Sequence, residues 1–315
     1  MCSAQSRSRP RAAPYFPIAC LRGFSAPRLP RFRERTPGAL CPACPASQVS
    51  EKPRTPGKSI TLGACKELIY AYLDALFLVI ARNAVVTGAS SGIGKALALA
   101  LAREGARVLG TGRNEEALRR LQSEFGDRFE YLACDLSGLG CVRAIAERVR
   151  ESFSPLDLLV NNAGYGLGKG LLEMTPEEIL AMAAVNLVAP LALTRELVPY
   201  MKPGSTVVNI TTAGIHVLMT RLPLYGATKI GLHYASAALR RELAARGINL
   251  LEVLPGVVDT EFHARAGLPA PARGISADEV ARRILKAVEA KRKRLYVPGY
   301  VGFLRALGPF LPALY

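Results

Sequence analysis

Short apolar runs alternate with helical patterns along the chain from residue 83 to near its end. The short runs are rich in β-branched residues and predict strands, because strands buried in a parallel sheet are almost continuously apolar. The segments between them predict helices. The predicted strands are 83–87, 106–111, 129–134, 157–161, 205–211, 248–254 and 294–297.

Two of the predicted helices have clear start signals. The segment Thr175-Pro176-Glu177-Glu178 offers a capping box with proline at the first helical position, and Ser276 with Glu279 offers a second box. Alternating strands and helices predict a parallel sheet covered on both faces, with right-handed crossovers. Because ligands bind at the carboxyl ends of such strands, we expect the functional residues there.

The first strand runs directly into a glycine-rich turn, TGASSGIG at 87–94, which opens a helical segment. Glycines let the backbone turn tightly and approach a pyrophosphate, whose charge suits a helix N-terminus. The position of this turn favours a dinucleotide site. The sequence has no GxxxxGK[ST] motif, which disfavours a P-loop nucleotidase.

The second predicted strand is followed by Gly112 and Arg113, with no acidic residue at its end. An acid at this place would accept hydrogen bonds from an adenosine ribose, whereas a guanidinium would bind a 2′-phosphate. The pattern therefore favours NADP(H) over NAD(H). The alternative is a solvated arginine at a helix start.

Tyr225 and Lys229 share one face of a helical segment, since they are four residues apart. A nearby cation stabilises a phenolate and lowers a tyrosine pKa from its reference near 10, so Tyr225 is a plausible general acid/base. Upstream, strand 205–211 runs into Thr211 and Thr212, which place hydroxyl groups at a strand end.

These motifs occur in order with four others: NNAG at 161–164, Asn186, NITT at 209–212 and PGVVDT at 255–260. Together they resemble the short-chain dehydrogenase/reductase family in its single-domain TGxxxGxG form, over about residues 83–298. The resemblance implies a Rossmann-type, doubly wound parallel sheet of about seven strands. It also implies reversible hydride transfer between NADP(H) and an alcohol or carbonyl.

The resemblance implies a role for each of four catalytic residues. Tyr225 is the acid/base that exchanges a proton with the substrate oxygen, and Lys229 contacts the nicotinamide ribose and lowers the tyrosine pKa. Asn186 holds a water in a proton relay through Lys229. Thr212 stands where the family usually has serine, and its hydroxyl can bind a developing oxyanion although its χ1 is stiffer.

The resemblance also implies a set of cofactor contacts. Asp135 corresponds to the adenine contact, Asn162 to Gly164 line the cofactor, and Val258 and Thr260 are carboxamide or phosphate contacts. The complete predicted set is Gly88, Ser90, Ser91, Gly92, Ile93, Gly94, Arg113, Asp135, Asn162, Ala163, Gly164, Tyr225, Lys229, Val258 and Thr260.

Several single residues have a structural interpretation. His233 is expected to be a packed or subunit-interface residue, and Cys134 and Cys141 to be buried apolar fillers outside any disulfide framework. His263 follows PGVVDT in what the resemblance implies is a substrate lid, where a substrate contact is the alternative to packing. The run 291–294, KRKR, is expected to be a solvated helix end.

The net charge of +16 is concentrated at the N-terminus. Residues 1–60 hold 11 Lys and Arg against two acids, together with 10 of the 22 prolines. We interpret 1–61 as a disordered basic leader: a transit peptide, a tail, or an extension not made in the cell. Cys41 and Cys44 form a lone CxxC, which does not make a zinc site, so no metal is expected.

Two apolar segments flank the predicted domain. Residues 62–82 are expected to form an apolar helix or connector, and residues 299–315 an apolar tail that packs over the substrate end or a partner. The alternative for 66–81 or for the tail is a weak contact with a membrane surface. No uninterrupted apolar run reaches the length of a membrane span.

The leading hypothesis is an NADP-dependent oxidoreductase acting on a small or lipid-like carbonyl, including a 3-oxoacyl carrier-protein reductase or a lipid or steroid ketoreductase. The alternative is a non-catalytic NADP-binding sensor on the same fold. We expect a small-molecule alcohol or carbonyl substrate, no nucleic-acid partner, and a homodimer or homotetramer. The expected location is cytoplasmic, with organelle targeting or membrane association as alternatives.

Overall fold

The computed structural model describes residues 81–271 and 273–307. Within them, nine strands follow one another along the chain. They are β1 (Asn83–Thr87), β2 (Arg107–Gly112), β3 (Phe129–Ala133), β4 (Leu156–Asn161), β5 (Met201–Ile210), β6 (Asn249–Pro255), β7 (Val258–Asp259), β8 (Ile275–Ser276) and β9 (Arg294–Val297).

Seven of these strands form one sheet in the order β3-β2-β1-β4-β5-β6-β9, and every neighbouring pair is parallel. The predicted doubly wound sheet of about seven strands is confirmed. β7 and β8 form a separate two-stranded parallel ladder that the sequence pattern did not predict, because two residues show no period. β5 begins four residues before its predicted start, in an exposed stretch that lacks an apolar run.

The helices lie between the strands. They are α1 (Gly92–Arg103), α2 (Glu115–Phe125), α3 (Leu139–Arg148), α4 (Pro176–Ala183), α5 (Ala189–Leu197), α6 (Pro223–Ala244), α7 (Phe262–Arg265), α8 (Ala277–Glu289) and α9 (Leu304–Leu307). A π-helical turn at Ala184–Val188 joins α4 to α5.

The two faces of the sheet carry separate apolar cores, because successive side chains of a strand point to opposite faces. In β1, Ala84 and Val86 belong to the core under α1 and α8, whereas Val85 belongs to the core under α3 and α5. All three side chains are fully buried. A third, smaller cluster at the carboxyl edge contains Met219, Leu222 and Ala266.

The predicted helix starts are present with one difference. Thr175 and Glu178 form the reciprocal capping box at α4, with Pro176 in the first turn. At α8 the Ser276 hydroxyl accepts from the Glu279 N–H at 3.2 Å. The Glu279 carboxylate is instead paired with two arginines of the same helix, Arg282 and Arg283. The second box is therefore a simple serine cap.

Two expectations about single residues are wrong. Cys134 and Cys141 form a disulfide across the turn between β3 and α3, although Cys141 also packs in the core as expected. The two cysteines come together because of the path of that turn, and a spacing of seven residues in the sequence does not indicate this path. Residues 291–294 do not form a solvated helix end throughout, because Arg294 begins β9 and donates to the buried Glu252 at 3.2 Å.

The basic leader at 1–61, the apolar segment 62–80 and the end of the tail at 308–315 lie outside the described residues. Within the described part of the chain, the stretch Pro176–Tyr200 is long and apolar enough to cross a membrane, because an 18-residue window in it has a mean hydropathy of 1.5. That property rests on length and composition only, and a core helix of a soluble protein shares it.

Candidate active site

Thr87 and Asn162 tie together the carboxyl ends of β1 and β4. The Thr87 hydroxyl accepts from the backbone N–H groups of Asn162 at 3.0 Å and Ala163 at 2.9 Å. The Asn162 amide donates to the Thr87 carbonyl at 2.8 Å. β2 and β3 lie on one side of β1, and β4 and the later strands lie on the other, so the strand order reverses between β1 and β4. Ligands bind at this point in open α/β sheets.

The glycine-rich turn brings its backbone close to this junction. Gly88 has a φ of +67°, in the left-handed region that favours glycine. A Cβ on Gly94 would lie 2.3 Å from the Gly88 carbonyl oxygen and 2.4 Å from the Asn162 amide nitrogen. The start of α1 therefore sits directly on the turn, and the free N–H groups of a helix start favour an anion beside them.

The end of β2 borders the same space. A Cβ on Gly112 would lie 2.9 Å from the Ser90 hydroxyl oxygen, so glycine lets the loop and the strand end meet. The Arg113 guanidinium lies 5.8 Å from the centroid of the Tyr165 ring. Burial raises the pKa of the Tyr165 phenol, while Arg113 opposes that shift. Arg113 therefore lines the cavity beside the end of β2.

Lys229 lies on α6 and is buried in the wall of the cavity. Its ammonium donates to the Ile210 carbonyl at 2.8 Å and lies 5.8 Å from the centroid of the Tyr225 ring. Burial lowers the pKa of Lys229 to about 8. The cation therefore remains largely protonated near neutral pH and places positive charge one helical turn from Tyr225.

Asn186 lies in the π-helical turn between α4 and α5 and is fully buried. Its amide oxygen accepts from the Tyr165 N–H at 3.0 Å, and its nitrogen donates to the Tyr165 carbonyl at 2.8 Å and to the Thr228 hydroxyl at 3.1 Å. A Cβ on Gly164 would lie 3.1 Å from both Asn186 Oδ1 and Lys229 Nζ. The polar ends of the Asn186 and Lys229 side chains therefore both approach Gly164, which lines the cavity.

Thr212 follows β5 and caps the short turn Ala213–His216. Its hydroxyl accepts from the Gly214 N–H at 3.1 Å and is 3.4 Å from the Pro255 carbonyl. The neighbouring Thr211 is buried and donates to the Val253 carbonyl at 3.0 Å. Of the two threonines, Thr212 is the less buried one at the cavity wall.

One cavity of about 1180 Å³ collects these residues. It exceeds the usual size of about 300–1,000 Å³ for a small-molecule site, as a dinucleotide and a substrate together require. All but two of the predicted site residues line it. Those that line it are Gly88, Ser90, Ser91, Gly92, Ile93, Arg113, Asp135, Asn162, Ala163, Gly164, Thr212, Tyr225, Lys229, Val258 and Thr260. Gly94 and Asn186 lie one layer behind.

The cavity has an apolar end around Tyr225 that the sequence pattern did not reveal. The Phe262 ring lies 5.1 Å from the Tyr225 ring, and both pack against the small cluster of Met219, Leu222 and Ala266. Three residues from the first part of the C-terminal tail also line the cavity: Tyr300, Val301 and Leu304. Their sequence signal was only the apolar character of 299–315.

The histidines lie in three different settings. His263 lines the cavity, and its Nδ1 atom is buried with no hydrogen-bond partner within the described structure. His233 is packed, as expected, with Nδ1 2.5 Å from the Glu252 carboxylate. His216 Nε2 is 3.0 Å from the Tyr296 hydroxyl. Among residues 81–271 and 273–307, no group of three or more His, Cys, Asp or Glu could hold a metal ion.

The fold and this cavity define a nicotinamide-dependent class of oxidoreductase, and comparison with known proteins agrees. The sequence profile of the short chain dehydrogenase family matches residues 82–268, more than half of the chain. The chain therefore belongs to the short-chain dehydrogenase family.

Individual relatives are similar over most of their length. Serine 3-dehydrogenase from Agrobacterium fabrum is 33% identical over 180 residues, which are 56% of this chain and 72% of the relative. A short-chain dehydrogenase from Sphingobium yanoikuyae, solved in complex with NADPH, is 28% identical with a TM-score of 0.64, covering 70% and 89% of the two chains. An alcohol dehydrogenase from Thermococcus sibiricus, complexed with 5-hydroxy-NADP, is 28% identical with a TM-score of 0.59, covering 68% and 94%.

Proposed function

We propose that this short-chain dehydrogenase is an NADP(H)-dependent enzyme that interconverts an apolar carbonyl compound and its alcohol. The observation that carries the proposal is the pairing of Tyr225 with the buried cation of Lys229, in the same cavity as the glycine-rich turn. The dinucleotide, when bound, supplies or accepts the hydride. The residues of this chain bind it, orient the substrate and move the proton.

Proton transfer is assigned to Tyr225. Hydride addition to a carbonyl builds negative charge on the substrate oxygen, which requires a donated proton and a fixed hydrogen bond. Tyr225 supplies the proton from α6, and the Thr212 hydroxyl supplies the hydrogen bond from the end of β5. Lys229 favours the phenolate form during the reverse proton transfer through its charge.

The preference for NADP(H) is assigned to Arg113. Its guanidinium lines the cavity beside the end of β2, with Gly112 rather than an acid at that strand end. The similar chains from Sphingobium yanoikuyae and Thermococcus sibiricus were solved with NADPH and 5-hydroxy-NADP. Replacing Arg113 by alanine should weaken NADPH binding by about 1.5–3 kcal/mol and leave NADH binding nearly unchanged, since the charge-assisted contact is lost.

The substrate class follows from the walls around Tyr225. Apart from the reacting group, a bound substrate would meet mainly apolar side chains: Leu167, Val217, Met219, Leu222, Phe262, Tyr300, Val301 and Leu304. Burying apolar substrate surface against them is favourable at about 25 cal/mol per Å². We therefore propose a lipid-like or otherwise bulky apolar carbonyl rather than a small charged one.

Oligomer formation is also proposed. Four large apolar side chains are exposed on neighbouring helices α4, α6 and the turn after α4: Leu180, Val188, Ile230 and Tyr234. Large apolar side chains exposed on adjoining helices are typical of a protein interface. We propose a homodimer or homotetramer, to be tested by sedimentation of the parent and of an Ile230→Glu variant.

The test of the function is single-turnover absorbance of NADPH at the reduced-nicotinamide band, with a panel of apolar and charged carbonyls. Thr212→Ala should lower turnover roughly 10²–10³-fold, as expected for one lost oxyanion donor. Thr212→Ser should remain close to the parent, because the hydroxyl is kept. Tyr225→Phe should be slower than Thr212→Ala while still binding NADPH. An active Tyr225→Phe enzyme would overturn the mechanism.

A further inference from the structure

The one-turn helix α7 contacts both ends of the cavity. Its first residue, Phe262, packs against the ring of Tyr225. Its last residue, Arg265, donates from Nη1 to the Ser91 hydroxyl at 3.0 Å. Because Ser91 belongs to the glycine-rich turn, four consecutive residues join the proposed acid/base to the dinucleotide end of the cavity.

The Arg265 guanidinium ends at a place suited to an anion. Ser91 immediately precedes α1, its hydroxyl caps no N–H group of that helix, and the first turn of α1 has no acidic residue. The Thr260 methyl lies 3.2 Å from the position of a Cβ on Gly92, so Thr260 borders the same helix start. The N–H groups and dipole of the helix favour negative charge there.

Arg265 can take a new partner at little cost. It is paired with Glu261, which precedes α7 and also lines the cavity, and both side chains are half-exposed or more. Exposed ion pairs contribute little and are screened by salt. A phosphate offers the guanidinium fork a stronger, charge-assisted set of hydrogen bonds.

We infer that Arg265 binds the pyrophosphate of the dinucleotide and that this contact holds α7 over Tyr225. The inference rests on the proposed function, since it concerns the same cofactor. Ser90 adjoins the β2 end and hence Arg113, whereas Ser91 adjoins Arg265. The two arginines therefore bind different parts of the cofactor. Arg113 binds the 2′-phosphate, and Arg265 binds the phosphates that NADPH and NADH share.

The contact has a consequence for the apolar end. Ala266 directly follows Arg265, is buried against Met219 and Leu222, and accepts from the Gly168 N–H at 2.7 Å. Binding of Arg265 to the phosphates therefore also fixes the position of Ala266 in the wall of the substrate end.

The first test measures the equilibrium binding of NADPH and NADH to the full chain by calorimetry. Arg265→Ala should weaken both cofactors by a similar factor, about 10- to 100-fold, as expected for lost hydrogen bonds to a charged group. Arg273→Ala is the matched control. Arg273 also lines the cavity, and its replacement by alanine removes the same charge. It should bind both cofactors within about threefold of the parent, since a cavity charge without a hydrogen-bonded fork contributes less.

The second test is hydrogen exchange of the amides of 262–268 with and without NADPH. In the parent, NADPH should protect this segment, and in Arg265→Ala the protection should be lost. Unchanged affinities in Arg265→Ala, a loss for NADPH alone, or an equal loss in Arg273→Ala would overturn the inference. If the parent bound neither cofactor, the proposed function itself would fail, so the two failures are distinguishable.

Discussion

Replacing Glu252 by glutamine should destabilise the protein markedly. Glu252 lies in β6 and is fully buried. Its carboxylate contacts His233 at 2.5 Å, Arg294 at 3.2 Å and Arg240 at 3.9 Å, all of which are only partly exposed. The amide of glutamine keeps the shape of the side chain but removes the charge that compensates the two guanidinium groups.

The magnitude follows from the burial of the group. Removing one partner of a buried ion pair costs about 3–5 kcal/mol, because the other charge stays in the protein without compensation. Arg294 and Arg240 keep 28% and 21% of their side chains exposed, so solvent relieves part of this cost. We therefore expect a loss of about 3 kcal/mol in the free energy of unfolding, or roughly 6–12 °C in Tm for a domain of this size.

Glu130→Gln is the matched control for thermal unfolding. Glu130 lies on the edge strand β3 and is also paired with two arginines, Arg107 and Arg148, but these keep 44% and 41% of their side chains exposed. Exposed pairs contribute up to about 1 kcal/mol, so Tm should fall by no more than about 4 °C. If Glu252→Gln melted no lower than Glu130→Gln, burial would not set the cost and the reasoning would be refuted.

Three further predictions concern the cavity and its surroundings. Gly94→Ala should lose both thermal stability and NADPH affinity, because its Cβ would lie 2.3 Å from the Gly88 carbonyl oxygen; Gly138→Ala, with open space around it, should lose neither. The folded-state pKa of Lys229, about 8, is below its ordinary value of 10.5, so between these pH values only the unfolded chain keeps the proton. The parent should therefore gain up to about 3 kcal/mol relative to Lys229→Met as pH rises from 8 to 10.5, measured by denaturant unfolding, and a flat difference would contradict this. Deleting 299–315 should raise KM for apolar carbonyls while NADPH affinity stays unchanged, and steady-state kinetics with an unaltered KM would contradict it.

The sheet and most of the cavity were predictable from the sequence because both depend on local signals. Each strand is an apolar run, and Arg113 and Thr212 lie within two residues of a strand end, so parallel pairing alone brings them to one edge. The remaining features depend on contacts between distant segments. The pairing of Arg265 with Ser91 spans 174 residues, and no periodicity in either segment indicates it.

Glu252 and Cys134 illustrate the same limit in the core and at the cofactor edge. An acidic residue within the apolar run 249–255 gives no indication of partners on α6 and β9. The disulfide partner of Cys134 depends on how the chain turns between β3 and α3. Both are set by three-dimensional packing rather than by local pattern.

Because β1 and β4 are neighbours in the sheet but distant in sequence, the cofactor cavity can form only late in protein synthesis. The β1 and β4 sides of the cavity cannot come together until Asn162 leaves the ribosome and can form hydrogen bonds with Thr87. Lys229 follows 67 residues later, which takes about 3–13 s at an elongation rate of about 5–20 residues per second. During that interval the nascent chain has its apolar strands but not the complete cofactor cavity. A nicotinamide dinucleotide can therefore stabilise only chains made at least as far as residue 229, and shorter fragments gain little from it.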